Sequence, residues 1–129
     1  MNKPIRALLL AAGLGTRLRP ITINTPKCLV EINGKPILEI WLNKLEKLNI
    51  EKTLINTHYM AEKVNEFLNK KYKKNNKIKQ IFEKELYGTA GTLIANRKFF
   101  YNSVGLMIHA DNFTNMELKN LLKAHFEKP

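Results

Sequence analysis

Between residues 13 and 27 the chain gathers groups suited to holding phosphate: Gly13 and Gly15, then Arg17 and Arg19, then Lys27. Glycine lets backbone N–H groups approach phosphate oxygens with no β-carbon in the way. Arginine can make paired hydrogen bonds to such oxygens, and lysine adds a point charge. The spacing matches neither of two common phosphate loops. A P-loop needs glycine, four residues, then Gly-Lys-Ser/Thr, and Leu18 stands where its second glycine belongs. The dinucleotide fingerprint G-x-G-x-x-G finds its first two glycines, but Leu18 fills the third place as well. On the glycines alone, a plain tight turn is as good a reading as a phosphate site.

The elements around this loop decide where it sits. The apolar run from Arg6 to Ala12 reads as a strand buried on both faces, the kind found in parallel sheets. The loop therefore leaves the carboxyl end of a strand, where ligands of open α/β sheets bind. Residues 29–32 read as a short extended piece, followed by an Asn33-Gly34 turn. Pro36 suits the first position of a helix. Leu38, Trp41, Leu42, Leu45 and Leu48 then form one apolar stripe at helical spacing.

Further strands are expected over Thr53–Thr57, Ile78–Phe82 and Val104–Ala110, with helices over Met60–Tyr72 and Thr89–Phe99. Thr114 and Glu117 have the spacing of a capping box, which would open a last helix with Leu118, Leu121, Leu122 and His125 or Phe126 inward. His109, inside an apolar strand, reads as core, His58 as a structural residue after its strand, and His125 as a surface residue. The alternation of strand and helix predicts an α/β fold: a three-layer α/β/α sandwich, Rossmann-like, around a mainly parallel sheet. No linker or repeat divides the chain, so residues 1–129 are read as a single domain.

Composition narrows the partners. The 129 residues are 44% hydrophobic, enough for a packed core. No apolar run reaches the length of a membrane span, so no membrane partner is expected. Cys28 is the one cysteine, which excludes an internal disulfide and fits a reduced, cytoplasmic setting. It reads as a small, partly buried residue rather than a nucleophile. The net charge of +11 suits an anionic partner. Most of that excess is lysine spread along the chain, and the six lysines of residues 69–79 read as a solvated helix end and loop. No motif interleaves basic and aromatic residues, so nucleic acid is not expected.

Longer strings are more specific. LAAGLGTRLRPIT (10–22), TPKCL (25–29), NGKP (33–36), LYGTAGTL (86–93) and IHADN (108–112) together resemble the sugar-1-phosphate nucleotidyltransferases. The arginine-rich string with the GTAGT segment is most similar to the mannose-1-phosphate guanylyltransferase branch. The resemblance implies transfer of a nucleoside monophosphate from an NTP to a sugar 1-phosphate, with Mg²⁺ as cofactor. Thymidylyl and uridylyl transfer are alternatives to GTP with a mannose-like sugar.

By the same resemblance, Leu10, Ala11, Ala12, Gly13, Gly15, Thr16 and Arg17 would line the nucleotide. Glu83, with Gly88, Thr89, Ala90 and Gly91, would surround the base and ribose. Arg17 and Lys27 would be catalytic, offsetting charge on the triphosphate. Asp111 would ligate the metal, against the alternative of an ordinary turn aspartate. The resemblance reaches only the N-terminal part of a family member. Self-association, and a nucleotide-binding module without independent catalysis, are therefore further expectations.

Overall fold

The computed structural model describes residues 3–128. The apolar run after the N-terminus forms strand β1 (Ile5–Leu10). Three single-turn 3-10 helices follow, over Thr16–Leu18, Ile21–Ile23 and Lys27–Leu29. A two-residue hairpin, β2 (Glu31–Ile32) and β3 (Lys35–Pro36), closes around Asn33 and Gly34, both at positive φ. That is the backbone an Asn-Gly turn favours.

Helix α1 (Ile37–Glu46) comes next, with Pro36 as its N-cap rather than its first residue. Strand β4 (Ile50–Thr57), helix α2 (Ala61–Tyr72), strand β5 (Ile78–Phe82), helix α3 (Gly88–Ala95), strand β6 (Val104–His109) and helix α4 (Leu118–Glu127) complete the chain. Among the described residues no helix is long and apolar enough to cross a membrane.

The four long strands form one parallel sheet in the order β5-β4-β1-β6. The chain lays β4 and β5 on one side of β1 and then returns to place β6 on the other. The carboxyl end of β1 is thus the switch point of the sheet, where the flanking connections part and leave a crevice.

One face of the sheet carries the main core. Ala7, Leu9, Ile55, Leu106 and Ile108 pack there with the α1 stripe, with Val64 and Leu68 of α2, and with Leu118 of α4. The lysines at 70, 71, 73, 74, 77 and 79 are exposed, as a solvated run should be.

Four local expectations change. His109 is exposed, not core. Among the described residues β6 pairs only with β1, and it buries one face: Leu106 and Ile108 point inward while Met107 and His109 face out. The capping box does not form: Thr114 Oγ1 instead accepts from Met116 N–H at 3.1 Å, and α4 starts at Leu118. Such short hydroxyl turns compete with helix starts. Of the expected α4 stripe only Leu118 is buried, and Leu121 and Phe126 stay exposed, because only the first turn reaches the core. The helix after Gly88 ends at Ala95 and gives way to a 3-10 turn over Arg97–Phe100. There the Asn96 side chain donates to Thr92 O at 2.8 Å and caps the helix early.

Candidate active site

The carboxyl end of β1 opens into a pocket of about 250 Å³. Leu10, Ala11, Ala12 and Gly13 form one wall, and Glu83, Leu86, Gly88 and Thr89 form part of another. Lys27, Asp111 and His109 close the end toward β6, and Asn56 and Thr92 complete the lining.

Lys27 owes its position to its neighbours. Pro26 and Cys28, on either side of it, are almost fully buried, so the lysine between them is turned outward. Burial pushes the Cys28 thiol up to about 12, which keeps it neutral and unreactive. The sulfur is an anchor for the loop and is wholly rather than partly buried.

Asp111 sits just past the end of β6. Ala110 N–H donates to Leu10 O at 3.0 Å, which extends the ladder to the residue before it. Trp41 Nε1 of α1 donates to Asn112 O at 2.8 Å and fixes the residue after it. Lys27 Nζ and Asp111 Oδ2 then meet at 2.6 Å, both side chains about one-third exposed. Partial burial alone would raise the Asp111 carboxyl, but the hydrogen bond and charge of Lys27 outweigh it and hold it below the usual carboxylate range.

The opposite wall rests on a buried polar cluster. Asn56, at the end of β4, accepts from Ala11 N–H at 2.7 Å and donates to Glu83 Oε1 at 3.1 Å and to Thr92 Oγ1 at 3.3 Å. The Thr92 hydroxyl also donates to Glu83 Oε1. Glu83 Oε2 keeps a single long contact, 3.5 Å from Tyr87 N–H. Glu83 is 2% exposed yet lines the pocket. The Ala11 N–H is therefore committed to Asn56, which leaves donation at this strand end to the residues after it.

Of the residues singled out in the sequence, Leu10, Ala11, Ala12, Gly13, Lys27, Glu83, Gly88, Thr89 and Asp111 line the pocket. Gly15, Thr16, Arg17, Ala90 and Gly91 lie off its wall. Arg17 is exposed in the first 3-10 turn. Gly15 has φ 67°, and a Cβ there would come within 2.8 Å of the Thr22 side chain, so no other residue fits without a shift. Gly88 likewise takes φ 72° where α3 begins. His58 is structural: its Nδ1 lies 2.7 Å from Glu83 O and its ring stacks on Phe82.

Asn56, Thr92 and His109 also line the pocket: Asn56 belongs to none of the quoted strings, while Thr92 and His109 lie inside two of them and were given no site role there. Position could have found Asn56, since it is a polar residue at the carboxyl end of a parallel strand.

A family profile described as Nucleotidyl transferase matches residues 6–129. The choline-phosphate cytidylyltransferase of Streptococcus pneumoniae is 35% identical over 126 residues, 95% of this chain and 52% of that protein. The D-glycero-alpha-D-manno-heptose 1-phosphate guanylyltransferase of Campylobacter jejuni is 33% identical over 117 residues, 91% of this chain and 52% of that protein. Among solved structures, HddC from Yersinia pseudotuberculosis complexed with GMP-PN superposes with a TM-score of 0.80 at 28% identity, covering 95% of this chain and 54% of that one. The chain thus spans about half the length of these relatives. A parallel sheet with its pocket at the switch point, a profile match over nearly every residue, and relatives of this kind make the chain a member of the nucleotidyl transferase family.

Proposed function

We propose that the chain forms the nucleotide-binding part of an enzyme that transfers a nucleoside monophosphate from an NTP to a sugar 1-phosphate. A phosphate oxygen of the sugar 1-phosphate attacks the α-phosphorus, the bond to the β-phosphate oxygen breaks, and pyrophosphate leaves. The Lys27–Asp111 pair carries this reading: it sets a cation and a carboxylate side by side in a pocket at the carboxyl ends of β1 and β6.

Two anionic reactants must meet there, and positioned charge is the main catalytic resource for such a transfer. Lys27 would meet the phosphates at the reacting centre. Arg17, exposed on the adjoining loop, would grip the triphosphate and offset charge on the leaving group. Asp111 fits a Mg²⁺ ion, which takes one or two carboxylates with phosphate oxygens and waters rather than an all-protein cage. Among the described residues no group of three or more ligating side chains forms such a cage. The bound ion would supply charge neutralisation at the phosphates.

GTP with a mannose-like sugar phosphate is the favoured pair. Glu83 Oε2, nearly free of protein donors, suits the adjacent N1–H and N2–H donors of guanine. The heptose-phosphate guanylyltransferase relative supports the same choice. The cytidylyltransferase relative makes CTP the second candidate.

The test is pyrophosphate release with GTP, CTP, UTP and dTTP, each against mannose 1-phosphate and glucose 1-phosphate, alongside calorimetric titration with Mg²⁺. GTP is expected to bind, and to turn over with mannose 1-phosphate. Binding without turnover would favour a nucleotide-binding module, and failure to bind any NTP would sink the proposal.

Self-association is also expected. β6 pairs on one side only, and Met107, Leu121 and Phe126 are exposed in β6 and α4. Unpaired strand edges with exposed apolar side chains recruit partners. Light scattering should show a concentration-dependent mass increase that Met107→Lys suppresses; a strict monomer at high concentration would refute it.

A further inference from the structure

We propose that Tyr59, assisted by Lys63, is the positioning residue that holds the phosphate loop in its binding shape, acting from outside the pocket. The inference rests on the nucleotide-binding role given above to residues 13–27.

This loop has little internal support. Its 3-10 turns are single, closed by bonds such as Leu18 N–H to Gly15 O at 3.1 Å and Ile23 N–H to Pro20 O at 3.1 Å. The first two turns are joined by the Thr22 hydroxyl, which donates to Gly15 O. Thr22 is 1% exposed and packs against Gly15 closely enough to forbid a side chain there. The shape of the Gly15 turn, and with it the direction of Arg17, therefore depends on where Thr22 is held.

Tyr59 holds it. The phenol donates to Thr22 O at 2.8 Å and lies 3.3 Å from Ile23 O. One helical turn on, Lys63 Nζ donates to Asn24 O. Both side chains thus reach the same segment, residues 22–24. Between them Met60 adopts φ 51°, ψ 39°, a left-handed conformation that L-residues seldom take. That bend is the N-cap of α2, and the side chains on either side of it both reach residues 22–24. Neither Tyr59 nor Lys63 lines the pocket.

The chain of contacts is thus Tyr59 hydroxyl to Thr22 carbonyl, then Thr22 hydroxyl to Gly15 carbonyl, then the turn bearing Arg17. A loop held this way binds triphosphate without first paying to order itself. Without the Tyr59 hydroxyl the loop samples open forms, and the penalty falls on phosphate affinity alone.

The experiment compares wild type with Tyr59→Phe, which keeps the ring, and with Lys63→Met. Affinities for Mg·GTP and for guanosine are measured, together with the rate of tryptic cleavage after Arg17. Arg19 precedes Pro20 and resists trypsin, so a cut inside the first turn reports its opening. Tyr59→Phe is expected to shift the loop toward open forms by about fivefold, the effect of one hydrogen bond. Guanosine affinity should be unchanged, cleavage after Arg17 should accelerate by up to about fivefold, since proteolysis tracks the open population, and the Kd for Mg·GTP should rise by about twofold as the closed fraction falls.

Unchanged GTP affinity with an unchanged tryptic rate would overturn the proposal. Equal losses for GTP and guanosine would do so as well, because they would mark general damage. If wild type binds no nucleotide, the nucleotidyl-transfer reading fails, while the tryptic rates still decide whether Tyr59 restrains the loop.

Discussion

Lys27→Met should lower pyrophosphate release by about two to three orders of magnitude, the usual cost of removing a charge-stabilising donor from a transition state. Asp111→Asn and Arg17→Ala should have effects of the same order. The fold should hardly notice. Lys27 and Asp111 are each about one-third exposed, and an ion pair in such a place contributes about 1 kcal/mol or less. Each variant is therefore expected to melt within about 5 °C of wild type. The check is a coupled pyrophosphate assay run beside thermal melts, with Mg·GTP affinity measured on the same samples. Normal turnover in Lys27→Met would remove that residue from the chemistry. Normal turnover in Arg17→Ala would do the same for the triphosphate grip, which is the more exposed claim because Arg17 lies off the pocket wall.

The largest stability effect should come from Trp41→Ala, for the opposite reason. Trp41 is 5% exposed at the centre of the α1 stripe, and its loss opens a large cavity. Truncating a buried tryptophan costs about 3–5 kcal/mol, a third or more of what holds many small proteins together. A drop in melting temperature of about 10–20 °C follows. Trp41 also donates to Asn112 O beside Asp111, so packing and hydrogen bond need separating. Trp41→Phe keeps most of the packing and loses the donor. It should melt only a few degrees low, about 1 kcal/mol, and yet lose more Mg·GTP affinity than that change explains. Equal affinity in Trp41→Phe and wild type would confine the indole to a packing role.

Much of this architecture was legible because single local signals decided it. An unbroken apolar run can be buried on both faces only as a central strand, and β1 is one, with β4 and β6 on either side. The Asn33-Gly34 turn and the α1 stripe were equally plain, since positive φ and helical spacing are written in residue types.

His109 was misread for a topological reason. A strand's neighbours are not encoded in the strand, and β6 looks central until the sheet order places it at the edge. Thr114 was misread because its hydroxyl had two backbone offers and took the shorter turn. The site divides in the same way. Lys27, Glu83 and Asp111 were reachable through the strings around them. Asn56 and Tyr59 stand in no motif, and Thr92, though inside the 86–93 string, carries no mark of its role there; the importance of all three comes from hydrogen bonds between segments apart in sequence.

The pairing of β1 with both β4 and β6 also sets an order of assembly. Ile5 pairs with Ile50 on one side and with Val104 on the other. During synthesis β1, β4 and β5 can zip together while the chain that will become β6 is still unmade. The flank of β1 that later receives β6 must wait meanwhile, with Leu8 and Leu9 imperfectly covered. Pairings so distant in sequence form slowly, because the intervening loop must close before any contact rewards it. Lys27 is made 84 residues before Asp111, so the ion pair of the site cannot form until the end of β6 has been made. A ribosome-bound intermediate would then hold three strands and a loop waiting for its partner carboxylate. In refolding of the whole chain, the same cost of distant pairing should appear in pulsed hydrogen exchange as early protection in β4 and delayed protection in β6.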